Sequence, residues 1–265
     1  MSEAPEESFI SHLVELRDRL LRAVVAVVVI FVCLMPWAGD IYDILAHPMM
    51  TALPEGTKMI ATGVISPFLV PMKVTLVIAF IVALPWVLYQ MWAFIAPGLY
   101  THEKRLIAPL VISSSLLFMA GVAFCYFFVF GTVFKFIAQF APKSITPAPD
   151  IEQYLAFVMS MFLAFGITFE VPVIVIVLVK LGIVDVAKLK EARPYVIVGA
   201  FVIAAIFTPP DVLSQLLLAL PLVILFQAGI WLVKFFGKSQ DEIDGMPKDR
   251  SEEHTSELQS RQCIS

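Results

Sequence analysis

The run from Tyr154 to Leu181, YLAFVMSMFLAFGITFEVPVIVIVLVKL, decides the fold, because a single charged side chain, Glu170, interrupts it before Lys180. A bilayer core about 30 Å thick needs roughly 20 apolar residues of helix, each rising about 1.5 Å, and this run exceeds that length. Outward from it, Leu20 to Trp37, Val74 to Ile95 and Leu106 to Phe134 read the same way. The last apolar stretch, Tyr195 to Phe236, is cut by Thr208-Pro209-Pro210-Asp211. Consecutive prolines remove two backbone donors and bar a helix from continuing through them. The stretch therefore splits into spans 195–207 and 212–236, joined by a tight structural turn at Pro209, Pro210 and Asp211. The predicted fold is an all-α polytopic membrane protein with six transmembrane helices, the fifth and sixth short. A fifth helix of about 20 Å predicts local thinning of the bilayer.

Composition agrees. Of 265 residues, 60% are hydrophobic and 15% charged, with a mean hydropathy of +0.90, where soluble domains carry about 25% charged residues. The first span does not read as a cleavable signal peptide, since Glu3, Glu6 and Glu7 precede it and no small-residue cleavage site follows. Fourteen of the 18 lysines and arginines fall on one side. They are Arg17, Arg19 and Arg22 before span one, Lys104 and Arg105 after span two, four residues between Lys180 and Arg193, and five in the tail. Lys58, Lys73, Lys135 and Lys143 fall on the other. The positive-inside rule then puts both termini in the cytoplasm. Trp86, Tyr89 and Trp92 suit an interfacial aromatic belt at the inner end of span two. The outer segment Ala38 to Pro71 is expected to form small helices capping the bundle. Residues 1–238 make up the membrane domain, and 239–265 are expected to be a disordered tail, whose end, 251–265, reads like a translated sequencing adapter.

Several function classes fall away. A net charge of −4 lacks the basic excess of a nucleic-acid binder. Three cysteines give no disulfide framework, and four scattered histidines have no metal-ligand spacing. Gly237-Lys238-Ser239 ends like a phosphate-binding loop, but Leu232 stands where its first glycine must be. No histidine lies within a span to activate a serine, so a membrane-embedded enzyme has little support.

Glu170 is the one acid deep inside an apolar run. A charge there costs about 2.5–3.5 kcal/mol even on the lenient insertion scale, which makes it a candidate functional group; the alternative is a neutral or bonded carboxyl that only fixes packing. Pro172, two positions on, frees the Thr168 carbonyl, so Thr168, Glu170 and Pro172 form a polar notch. Asp211 reads first as an N-cap of span six. Gln215, one turn later, places an amide where it can bind a neighbouring helix. In the N-terminal segment, Leu13, Leu16 and Leu20 share a helical face, and Glu15 can pair with Arg19 four residues on. Glu103, in the loop after Pro97-Gly98, reads from its residues alone as a solvated loop acid.

Taken in order, these motifs resemble a known family. His12-Leu13…Glu15-Leu16-Arg17…Arg19-Leu20, Gln90-Met91-Trp92-Ala93-Phe94…Pro97-Gly98-Leu99-Tyr100…Glu103-Lys104-Arg105, Phe165-Gly166…Phe169-Glu170-Val171-Pro172, Arg193-Pro194-Tyr195 and Thr208-Pro209-Pro210-Asp211…Ser214-Gln215 closely resemble the TatC family of twin-arginine translocase subunits. The resemblance runs from about Phe9 to Lys238. It implies a cup-shaped six-helix protein in the bacterial cytoplasmic membrane that takes part in export of folded proteins. It implies recognition of twin-arginine signal peptides, TatA- and TatB-like single-span partners, self-association in a larger complex, drive by the proton-motive force, and no cofactor. Carried over by position, the signal-peptide site would comprise Glu15, Arg17, Phe94 and Glu103. The intramembrane contacts with partners would involve Glu170, Thr208 and Gln215. A planar guanidinium wants a carboxylate, and charge-assisted bonds of this kind are worth about 1.5–3 kcal/mol each. The competing class, a secondary transporter using Glu170 as a relay, lacks the internal repeat such folds show.

Overall fold

The computed structural model describes residues 4–54, 56–95, 107–140, 148–180, 182–208 and 211–244. Glu103, Pro209, Pro210 and residues 245–265 lie outside the described residues. The chain is helical nearly throughout. Helix α1 (Ala4–Leu34) passes through a 3₁₀ turn at Met35–Trp37 into α2 (Ala38–Met50). There follow α3 (Ser66–Ile95), α4 (Ile107–Phe124), a π-helical turn (Cys125–Val129), α5 (Phe130–Phe140), α6 (Ile151–Lys180), α7 (Val186–Glu191), α8 (Arg193–Phe207) and α9 (Val212–Asp244). Among the described residues five helical segments are long and apolar enough to cross a membrane, and α8 is a shorter apolar helix.

Several boundaries differ from those read in the sequence, each for a local reason. Helix α3 begins at Ser66, not Val74: Pro67 sits in its first turn, where a missing N–H costs nothing. Helix α8 begins at Arg193 with Pro194 in its first turn. Helix α6 begins at Ile151, three residues before Tyr154, and runs through Pro172 to Lys180 as the single span read from the sequence. Helix α9 continues to Asp244 through residues expected to be disordered, because an established helix extends without a new nucleation cost and Lys238, Gln240 and Glu242 are good helix formers. Trp92, expected in the aromatic belt, is turned inward and buried. Six residues at about 100° each carry it some 120° round the helix from Trp86, which stays exposed beside Tyr89 with ring centroids 5.6 Å apart.

Helix α6 is the centre, packed on α4 on one side and α9 on the other; α3 lies between α1 and α4, and α9 also packs on α8. With no water-driven force between helices in lipid, close backbone approach at small residues does much of the packing. A Cβ on Gly121 of α4 would come within 2.6 Å of the Phe165 carbonyl oxygen of α6. One on Gly229 of α9 would lie 3.0 Å from Pro172 Cα. Phe130 and Phe134 of α5 stack on each other and meet Phe157 and Phe162 of α6 in tilted and edge-to-face contacts.

At the end of the bundle where α2 lies, two connections are clasped together. Ile60 pairs with Asp150 in a short parallel bridge, with Ile60 N–H donating to the Pro149 carbonyl (3.0 Å) and Ile151 N–H to that of Ile60 (2.9 Å). Asp150 Oδ2 accepts from the Thr62 hydroxyl (2.7 Å) and N–H (3.1 Å), while Oδ1 caps α6 by accepting from Glu152 N–H (2.9 Å) and Gln153 N–H (3.2 Å). Helix α2 is tied down by the hydroxyls of Tyr126 and Tyr154, which donate to the carbonyls of Ile44 (2.7 Å) and Leu45 (2.6 Å).

Candidate functional site

At the opposite end, α1 and α3 run antiparallel and bring together two segments far apart in sequence. The imidazole of His12 stacks on the ring of Phe94, centroids 4.3 Å apart and planes 21° from parallel. Glu15 is three residues beyond His12, hence on the same face. Its Oε1 accepts from Arg19 Nε (2.8 Å) and Nη2 (2.6 Å), with Glu15 at 39% side-chain exposure. Arg17 points elsewhere, paired with Asp18 at 2.9 Å and exposed. The structure therefore groups Glu15 with Phe94 through His12 and leaves Arg17 outside that group, while Glu103 falls outside the described residues.

The second group lies inside the bundle. Glu170 is 9% exposed and its Oε1 has no hydrogen-bond partner among the described residues. Beside its carboxyl stands the hydroxyl of Ser114 on α4, which in turn accepts a hydrogen bond from Trp92 Nε1 on α3 at 3.2 Å. Thr168, two residues earlier on α6, is also buried. Three helices thus contribute to the notch, where the sequence pattern suggested one.

The third group joins α8 to α9. Thr208 ends α8 in an extended conformation, and its hydroxyl donates to the Ala204 carbonyl at 2.8 Å. Asp211 Oδ2 accepts from Ser214 N–H at 2.7 Å, capping α9. Gln215 Nε2 reaches the Phe201 carbonyl of α8 at 3.4 Å, a long contact near the limit of a hydrogen bond. Among the described residues no group of His, Cys, Asp and Glu side chains is placed to hold a metal ion.

The family described as Sec-independent protein translocase protein (TatC) matches residues 11–221. The chain is 48% identical to the TatC protein of Escherichia coli K12, over 97% of this chain and 100% of that one. It is 55% identical to the TatC of Azotobacter chroococcum over 86% and 88% of the two chains. A crystal structure of a twin-arginine translocase receptor TatC superposes with a TM-score of 0.74 at 40% identity, covering 84% of this chain and 98% of that one. The chain belongs to the TatC family.

As a TatC-family member it is a multi-pass membrane protein of twin-arginine protein translocation, a transport protein and not an enzyme. Within that identity, the sequence reading overlooked two contributors to the groups above. His12 carries no role of its own in the sequence reading beyond opening a family motif, although it sits one turn before Glu15. Ser114 sits in a Ser113-Ser114-Ser115 run inside an apolar helix, a polar interruption that could have drawn attention to it.

Proposed function

We propose that this TatC-family chain is the receptor and core scaffold of a twin-arginine translocase. It binds twin-arginine signal peptides and nucleates assembly with TatA- and TatB-like single-span partners for export of folded proteins driven by the proton-motive force. Its six transmembrane helices form a cup in the bacterial cytoplasmic membrane, and both termini face the cytoplasm, as the lysine and arginine distribution requires. The crystal structure to which it is similar is described as a twin-arginine translocase receptor.

The observation that carries the reading is the His12–Phe94 stack. It holds the N-terminal segment that carries Glu15 against the last turn of α3 at Phe94. Glu15, and Glu103 by its place in the family motif, offer carboxylates to paired guanidinium groups, and Phe94 offers an aromatic face. Lysine would supply only a point charge, which gives a physical reason for arginine. Arg17, paired with Asp18 and turned away from Phe94, belongs to the proposed site by its place in the family motif alone. The contacts with the single-span partners are assigned to α6, α8 and α9 around Glu170, Thr208 and Gln215, with Glu170 and Thr208 buried in the chain on its own.

The test is photo-crosslinking of a twin-arginine signal peptide to a probe placed at position 94 or 103. Strong crosslinks that vanish when the peptide's arginines become lysines support the reading. Crosslinks indifferent to that change overturn it.

A further inference from the structure

Helix α4 is apolar except where Ser113, Ser114 and Ser115 interrupt it. A hydroxyl in a membrane helix usually returns its proton to its own backbone, and Ser113 does so, donating to the Leu110 carbonyl at 3.0 Å. Ser114 is fully buried and behaves differently: its oxygen receives the indole N–H of Trp92 at 3.2 Å. An indole nitrogen can only donate. The bond therefore occupies an acceptor position of Ser114 and leaves the hydroxyl proton for another oxygen. The neighbouring acceptor is the Glu170 carboxyl, whose Oε1 is buried without a partner. A buried carboxyl oxygen left unpaired costs free energy, so a small rotamer adjustment that closes the Ser114 hydroxyl on the carboxyl is favourable whether Glu170 is neutral or ionised.

We propose that Trp92 and Ser114 are positioning residues for Glu170: Trp92 fixes the Ser114 oxygen, and the Ser114 hydroxyl holds the carboxyl of the notch. Because Trp92 is two residues from Phe94 on the same helix, the chain Trp92, Ser114, Glu170 also ties the intramembrane carboxyl to the inner end of α3. This second part rests on the reading of Phe94 as part of the signal-peptide site.

Infrared spectroscopy of the purified full chain in nanodiscs tests both parts. The Glu170 band is the carboxyl band lost in Glu170→Gln. Ser114→Ala should shift it, Ser114→Thr should return it toward its original place, and Ser113→Ala should leave it unmoved. Ser114→Cys, close in size and a weaker donor, serves if the alanine variant does not fold. A band that ignores Ser114→Ala, or moves equally with Ser113→Ala, overturns the proposal. Trp92→Phe should shift the same band by a smaller amount, and no shift removes Trp92 from the chain. In the second arm a labelled twin-arginine peptide is added and its binding followed by fluorescence anisotropy. Bound peptide should move the Glu170 band in the parent and not in Trp92→Phe. Peptide that binds without moving the band overturns the tie to α3. Peptide that fails to bind counts against the proposed function, and the serine variants still decide the positioning role.

Discussion

His12 and Phe94 lie 82 positions apart in the sequence and stack at 4.3 Å, so the N-terminal segment is fastened to the inner end of α3 by an aromatic pair and not only by apolar packing. Such pairs are worth about 0.5–1.5 kcal/mol beyond the area they bury. A double-mutant cycle of His12→Ala and Phe94→Ala on unfolding in detergent should return a coupling of about that size. Strictly additive effects would show that the rings do not hold each other.

Glu15 is engaged with Arg19, so on the proposed function a twin-arginine peptide must displace that pair, an exchange that surface ion pairs allow at about 0–1 kcal/mol. Glu15→Gln should weaken binding of a twin-arginine peptide by roughly 10- to 150-fold, the equivalent of one charge-assisted bond of about 1.5–3 kcal/mol, with a smaller effect on a twin-lysine peptide. Titration of a labelled peptide measures both. Glu103→Lys should abolish export of twin-arginine cargo while leaving membrane insertion intact, because like charges would then meet; normal export removes that loop from the site.

What could be read from the sequence follows from what is local. The run from Tyr154 to Leu181 needed only its length and composition to be placed as a helix, and the acid at Glu170 announced itself by cost. Helix α3 starts eight residues before the apolar run that marks it in the sequence, because Pro67 in a first turn is harmless and the segment to Pro71 reads as part of the outer connection. Trp92 was misassigned because belt and core positions differ only by rotation about a helix whose inner face is set by its neighbours. The Asp150 clasp joins residues 88 positions apart through Thr62, and nothing in either loop reveals the other. The three-helix composition of the Glu170 notch is long-range in the same way.

Helix packing around α6 depends on small residues at particular places. Gly121→Val should destabilise the protein by about 1–3 kcal/mol, the usual cost of overpacking, because the backbone carbonyl of Phe165 cannot step aside. Gly131→Ala on α5 meets open space and should instead be neutral or stabilising by up to about 1 kcal/mol, from helix propensity. Thermal midpoints in detergent distinguish the two, and equal effects would refute the close approach.

Asp150 makes the outer clasp sensitive to acid. The Thr62 hydroxyl bond, joined by the backbone N–H groups of Gln153, Thr62 and Glu152, holds its carboxyl below the ordinary value of 3.8, against a smaller opposing effect of burial. A group with a depressed folded value adds stability in full above its unfolded value and loses it as pH falls through the folded one. The midpoint difference between the parent and Asp150→Asn should therefore be constant above about pH 4 and shrink below it. A difference unchanged down to pH 2 would mean the carboxylate is not what closes the clasp.

Helix α8 has 15 residues, about 22 Å of rise, against a hydrocarbon core near 30 Å. It cannot recruit its flanks. Thr208 leaves the helix in an extended conformation at one end, and at the other Pro194 lies in its first turn, which fixes where the helix begins. Tilting would shorten its reach further, so if α8 crosses the membrane as one of the six proposed spans the bilayer thins around it, at fractions of a kcal/mol per Å of mismatch. Nanodiscs of shorter-chain lipid should accordingly raise the thermal midpoint relative to longer-chain lipid. Lengthening α8 by one turn of leucine and alanine ahead of Phe207 should erase that dependence. If the parent is equally stable in thin and thick bilayers, α8 does not span the membrane as one of six helices, and the five longer segments carry the crossing alone.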